Sequence, residues 1–151
     1  MALPTSLELQ IVTPDRPLVH EQVDEVEIPG SEGYFGVLPG HTPMLASLAI
    51  GEMWYRQGQE KTYLALAFGF AEVLPDRVTI LARIAERGKD IDVQRAEEAL
   101  KRAQAQAIQK EHVDYEQARI DLMKALTRLQ VASKLQLSGR VGHQRVPPPQ
   151  G

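Results

Sequence analysis

Cysteine is absent from all 151 residues. That excludes disulfides, thiolate zinc sites and cysteine nucleophiles, and it suits a reducing compartment or indifference to redox state. No apolar run reaches the roughly 18 residues a membrane-spanning helix needs. Met1 to Ser6 lack the basic and apolar regions of a secretion signal, so the chain is expected to stay in the compartment where it is made. No nucleophile motif appears, and no glycine-rich loop ends in Gly-Lys-Ser/Thr to cradle phosphate. The histidines at His20, His41, His112 and His143 have no ligand-spaced neighbours, so no metal site is expected. Nor is there a basic stripe interleaved with aromatics, which argues against nucleic acid. His41, in a Pro-Gly-His-Thr-Pro turn, is the one histidine in a suggestive place. A catalytic histidine needs an orienting carboxylate and a pocket, and the sequence identifies neither.

What is present divides the chain in two. Hydrophobic residues make up 43%, enough for a packed core. The first 90 residues carry a net charge of −6 and the remainder +3. Leu7, Leu9 and Ile11 alternate with Glu8 and Gln10, and Val23, Val26 and Ile28 sit between acids. Gln57-Gly58-Gln59 and Pro75-Asp76 read as turns between apolar runs. Short strands at this spacing predict a sandwich or flattened barrel. Beyond Gly88 the texture changes, with neither Gly nor Pro from Lys89 to Ser138. Asp92 is placed to cap one helix, with Ala96, Ala99, Leu100, Ala103 and Ala107 along one face. The pattern lapses at Gln109 to Val113. It resumes at Asp114-Tyr115-Glu116-Gln117, which reads as a capping box, followed by Ala118, Leu122, Ala125, Leu129 and Ala132.

The expected architecture is thus β plus α: an N-terminal β-sandwich over 1–88, an antiparallel two-helix hairpin over 89–137, and an unstructured tail over 138–151. Alanine seams bury little area, so the hairpin is expected to depend on docking.

The densest block runs from Val26 to Met44 and holds four glycines and three prolines among apolar residues. Together with Leu48, Gly51 and Glu52, it resembles the epsilon-subunit family of the F-type ATP synthase. Phe68-Gly69-Phe70-Ala71-Glu72-Val73 and Asp90-Ile91-Asp92-Val93-Gln94-Arg95-Ala96 resemble two further signatures of that family, in the right order. Phe68 occupies a frequent glycine position, and Tyr34 stands where relatives often carry an acid.

The resemblance implies a ten-stranded flattened barrel and a mobile helical hairpin. It implies a non-catalytic rotor subunit coupling the c-ring to the gamma subunit, with a hairpin that restrains ATP hydrolysis when extended. It places the chain at the cytoplasmic face of a bacterial inner membrane, or at an organellar one, held there only through the complex. Glu32, Tyr34, Val37, Leu38, His41 and Pro43 would face gamma and the c-ring. Arg119, Lys124, Arg128 and Lys134 would meet an acidic segment of the beta subunit, with Arg140 and Arg145 continuing that basic face.

No cofactor is required, but ATP is implied as a regulatory ligand. Ile91, Asp92, Arg95 and Ala96 match the motif of ATP-binding relatives, and Glu86, Arg102 and Arg128 fall on matching positions. Lys124 stands where the binders have Arg, offering a point charge in place of a planar fork. Two other classes fit the residues alone: a metal-dependent β-barrel enzyme using His41, and a free adaptor whose hairpin recruits a helical partner.

Overall fold

The computed structural model describes residues 3–108 and 114–141. Seven strands form one sheet in the order β2-β1-β7-β6-β5-β3-β4. They are β1 (Leu7–Val12), β2 (Pro17–Val23), β3 (Glu25–Gly30), β4 (Gly33–Val37), β5 (Met44–Gln57), β6 (Glu60–Leu74) and β7 (Arg77–Arg87). Only β1 and β7 pair in parallel. The sheet folds over on itself, bringing β2 against the far end of β5, where Asp24 N–H donates to the Arg56 carbonyl at 2.8 Å and Gln57 Nε2 to the Gln22 carbonyl at 2.9 Å. Leu7, Leu9, Ile11, Val26, Ile28, Met53, Leu64, Leu66, Val73 and Ile80 are sealed in the core between its layers.

The β1 alternation and both turns fold as the sequence predicts. Gln57 pairs with Glu60 around Gly58, whose φ is +61°, and Leu74 pairs with Arg77 around Pro75-Asp76.

The strand count differs from the expected ten. The long strands β5, β6 and β7 each bend once without breaking. In β6 the inward residues are Leu64 and Leu66 before the bend and Ala71 and Val73 after it, so the inward parity switches. β5 switches between Leu48 and Met53, and β7 between Ala82 and Ala85. The switches lie on one line across the sheet. Ladder pairing continues at Leu48↔Gly69 and Ile50↔Ala67, and at Gly69↔Ala82 and Ala67↔Ile84, but skips Phe68 between them. Phe68 and Gly69 both have positive φ, 61° and 125°, which supplies the bend. Counting each bent strand as two restores ten.

After β7, a 3-10 turn (Gly88–Asp90) leads into α1 (Val93–Ile108), and α2 spans Tyr115–Val141. Asp92 Oδ1 accepts the Arg95 N–H at 3.0 Å, the predicted cap of α1. Asp114 Oδ1 accepts the Gln117 N–H at 3.2 Å, but the box closes on one side only. The Gln117 amide turns forward to Asp121 Oδ1 at 2.9 Å instead of back to the cap. Buried alanines recur every seven residues, Ala96 and Ala103 on α1 and Ala118, Ala125 and Ala132 on α2. Ala107, expected on this seam, is exposed. α2 also runs to Val141, into the stretch expected to be an unstructured tail. The remaining tail, Gln109 to Val113, His112, His143 and Arg145 lie outside the described residues. No described helix is long and apolar enough to cross a membrane.

The hairpin is docked. α2 lies on β5, β6 and the 3-10 turn, and α1 packs mainly on α2. Val131 and Ala132 meet Ala65 and Ile91 in a small second cluster beside Tyr63, separate from the main core. Because α2 buries Thr127 and Val131 toward the sheet as well as its alanines, it has no single apolar face.

Candidate functional site

The docked hairpin and the end of β7 enclose two neighbouring cavities. The first, about 320 Å³, is lined by Glu86 of β7, Asp90, the cap residue Asp92, Arg95 and Ala96 of α1, and Arg128 of α2. The second, about 210 Å³, lies between the helices and is lined by Ala99, Arg102, Ala103, Gln106, Asp121, Lys124 and Arg128. Arg128 borders both. Its Nη2 and Nε donate to the same Glu86 oxygen at 2.6 and 3.0 Å, with both side chains about 30% exposed (29% and 31%). Seven of the eight residues implied by the nucleotide motif therefore line one cavity or the other. The eighth, Ile91, is buried in the second cluster, where it seats the start of α1.

The two cavities differ in charge. The first sets three carboxylates against two guanidiniums. Among the described residues, the second sets three cations, Arg102, Lys124 and Arg128, against Asp121 alone. One end can thus accept hydrogen bonds from amines and hydroxyls, while the other favours a multiply charged anion. No ion pair to Arg95, Arg102 or Lys124 forms among the described residues.

The four cations expected to meet the beta subunit do not form one free face here. Arg119 is exposed and lies 3.4 Å from Glu116. Lys124 lies in the groove between the helices, and Arg128 is held by Glu86. Lys134 pairs with Glu52 of β5 and sits 4.9 Å above the Tyr63 ring. Docking occupies half of the set.

The loops expected to face gamma and the c-ring are on the surface, with one correction. Glu32 and Pro43 are exposed, as are Tyr34 (59%) and Leu38 (55%). Val37 is wholly buried, paired with Val26 in the core, and offers a partner nothing. The Tyr34 hydroxyl accepts the Glu52 N–H at 3.2 Å and crosses Gly51, where an added Cβ would lie 2.5 Å from it. His41 is tied into its own turn, with Nδ1 2.7 Å from the Thr42 carbonyl and its N–H on Leu38.

Comparison with known proteins agrees with the division into a β-sandwich followed by a helical region. Residues 6–88 match the model for the β-sandwich domain of the ATP synthase delta/epsilon chain, and residues 89–133 match its long α-helix domain. The chain belongs to the ATP synthase epsilon-chain family. The ATP synthase epsilon chain of Solibacter usitatus is 47% identical over 133 residues, covering 87% of this chain and 99% of that one. That of Koribacter versatilis is 56% identical over 99 residues, covering 66% and 70%. Among solved structures, a chain of the Euglena gracilis mitochondrial ATP synthase (OSCP/F1/c-ring, rotational state 1) superposes with a TM-score of 0.75 at 26% identity, covering 91% of this chain and 84% of that one.

Three features of this epsilon-family chain escaped the sequence reading. Asp90 and Asp121 add carboxylates to the cavities, and Asp90 opens the quoted signature that runs to Ala96. The Glu52–Lys134 pair joins residues 82 apart, although Glu52 closes the glycine-rich block. Phe70 and Leu81, paired across β6 and β7, leave an apolar outer surface with 63% and 55% exposure. Their alternation with inward residues after Gly69 was the available signal.

Proposed function

We propose that this chain is a non-catalytic central-stalk subunit of the ATP synthase. In this reading the sandwich joins the gamma subunit and the c-ring. The hairpin restrains ATP hydrolysis when it leaves the sandwich and presents Arg119, Lys124, Arg128 and Lys134 to the beta subunit. ATP is a regulatory ligand of the docked hairpin and is not hydrolysed by this chain. The complex would hold the protein at the cytoplasmic face of a bacterial inner membrane.

The observation that carries the regulatory part is the shared wall. Arg128 fastens α2 to Glu86 and borders both cavities that the nucleotide-motif residues line. The charge division suggests an orientation, with base and ribose donors on the Glu86, Asp90 and Asp92 side and the phosphates among Arg102, Lys124 and Arg128. A ligand spanning both touches α1, α2 and β7 together. It would bind the docked form alone and so favour it by its differential affinity.

Calorimetric titration of ATP into the full chain tests this. One saturable site is expected, with Arg95→Ala weakening it by about tenfold or more, the loss of one charge-assisted contact. Arg95 is exposed, so the variant should keep its fold. Wild-type affinity in Arg95→Ala, or no heat from the wild type, would remove the nucleotide reading.

A further inference from the structure

A third cavity, of about 330 Å³, lies between the sandwich and the later part of α2. Three cations line it: Lys61, Arg87 and Lys89. Among the described residues the ion pairs employ Arg56, Arg119, Arg128, Lys134 and His20, so none of these three has a carboxylate partner. Lys61 Nζ instead sits 4.0 Å from the Trp54 ring centroid. Arg87 donates from Nη2 to the Leu18 carbonyl, and its Nε is buried without an acceptor. A guanidinium drawn inward on one neutral carbonyl lacks the counter-charge that such burial ordinarily demands. Among the described residues Glu21 is the one acid on the wall. It lies beside the Tyr55 hydroxyl, whose pKa burial pushes up, so that group stays protonated and able to donate.

Gln57 and Thr62 add neutral polar groups to the wall, and the remainder is largely apolar. Tyr55 and Tyr63 come from the sheet and Val131 and Leu135 from α2. We propose that this cavity is a binding site for a small organic anion, with its charged head at Lys61, Arg87 and Lys89 and a flat apolar body against Tyr63 and the α2 side chains Val131 and Leu135. Cations from the sandwich and the 3-10 turn and aliphatics from α2 would then hold one molecule. Binding would favour the docked hairpin without involving the nucleotide cavities.

Phenyl phosphate and inorganic phosphate, titrated separately into the full chain by calorimetry, test the site. Phenyl phosphate is expected to saturate one site in the low millimolar range, about tenfold or more tighter than inorganic phosphate. The doubly substituted Lys61→Ala, Lys89→Ala chain should lose about tenfold or more in affinity, since each lysine is exposed and its removal leaves the core intact. Arg95→Ala, which touches only the nucleotide reading, should bind phenyl phosphate as the wild type does. No saturable binding up to about 10 mM, equal affinity for inorganic phosphate, or wild-type affinity in the double variant would each overturn the proposal.

Discussion

Removing residues from Asp90 onward is expected to leave a sandwich that still joins the complex, and to raise ATP hydrolysis by that complex several-fold. The main core contains no residue of either helix, so its packing survives the cut. What is lost is the second cluster, where Ile91, Val131 and Ala132 cover Ala65, together with the Glu86–Arg128 and Glu52–Lys134 pairs. These pairs are partly buried, their side chains 13% to 43% exposed, and each is worth on the order of 1 kcal/mol. The small cluster adds modest burial, because two of its four members are alanine. A hairpin held so lightly can be released by a competing partner, which is what an inhibitory arm requires. The check is the hydrolysis rate of complex reconstituted with the shortened or the full chain. Equal rates, with the shortened subunit shown to be incorporated, would remove the inhibitory role.

The second large effect falls on stability. Gly69→Ala should destabilise the sandwich by about 3 kcal/mol or more, lowering its melting temperature by about 10 °C or more. Two independent penalties act there. The backbone φ is +125°, outside what an L side chain adopts readily. A Cβ would also lie 1.9 Å from the Leu81 carbonyl oxygen, a backbone atom of β7 that can yield only if the sheet opens. Gly69 sits on the line where β5, β6 and β7 bend together, so the strain would spread across three strands. Thermal unfolding followed by circular dichroism reads the shift. A midpoint within about 2 °C of the wild type would show that the bend does not depend on this residue.

Local regularity was legible in the sequence wherever one face of an element is buried. Leu7, Leu9 and Ile11 alternate because β1 keeps one face on the core throughout. Asp92 and Asp114 announced helix starts because a cap acts within three residues. The bent strands were not legible as single elements, since a parity switch at Phe68 cancels the alternation that defines a strand. Val37 looked like a loop residue beside Leu38 and Pro39, but its burial is set by pairing with Val26 across the sheet. The sheet-facing stripe of α2, Thr127 and Val131, was hidden because a helix covered on two sides has no single apolar face. At the candidate site, the family motif located most of the lining residues. The pairing of Arg128 with Glu86, and of Lys134 with Glu52, depends on where α2 docks, which no local spacing encodes.

On the proposed function, the hairpin is lightly docked and leaves the sandwich within the assembled enzyme. The chain has no cysteine, so Gln59→Cys and Gln130→Cys, both at exposed positions, give a clean pair of spin labels spanning the β5–β6 turn and α2. Pulsed electron spin resonance on the isolated chain with ATP should give one short-distance population. The assembled complex without ATP should add a second, longer one. A single unchanged distance in both conditions would contradict a mobile hairpin.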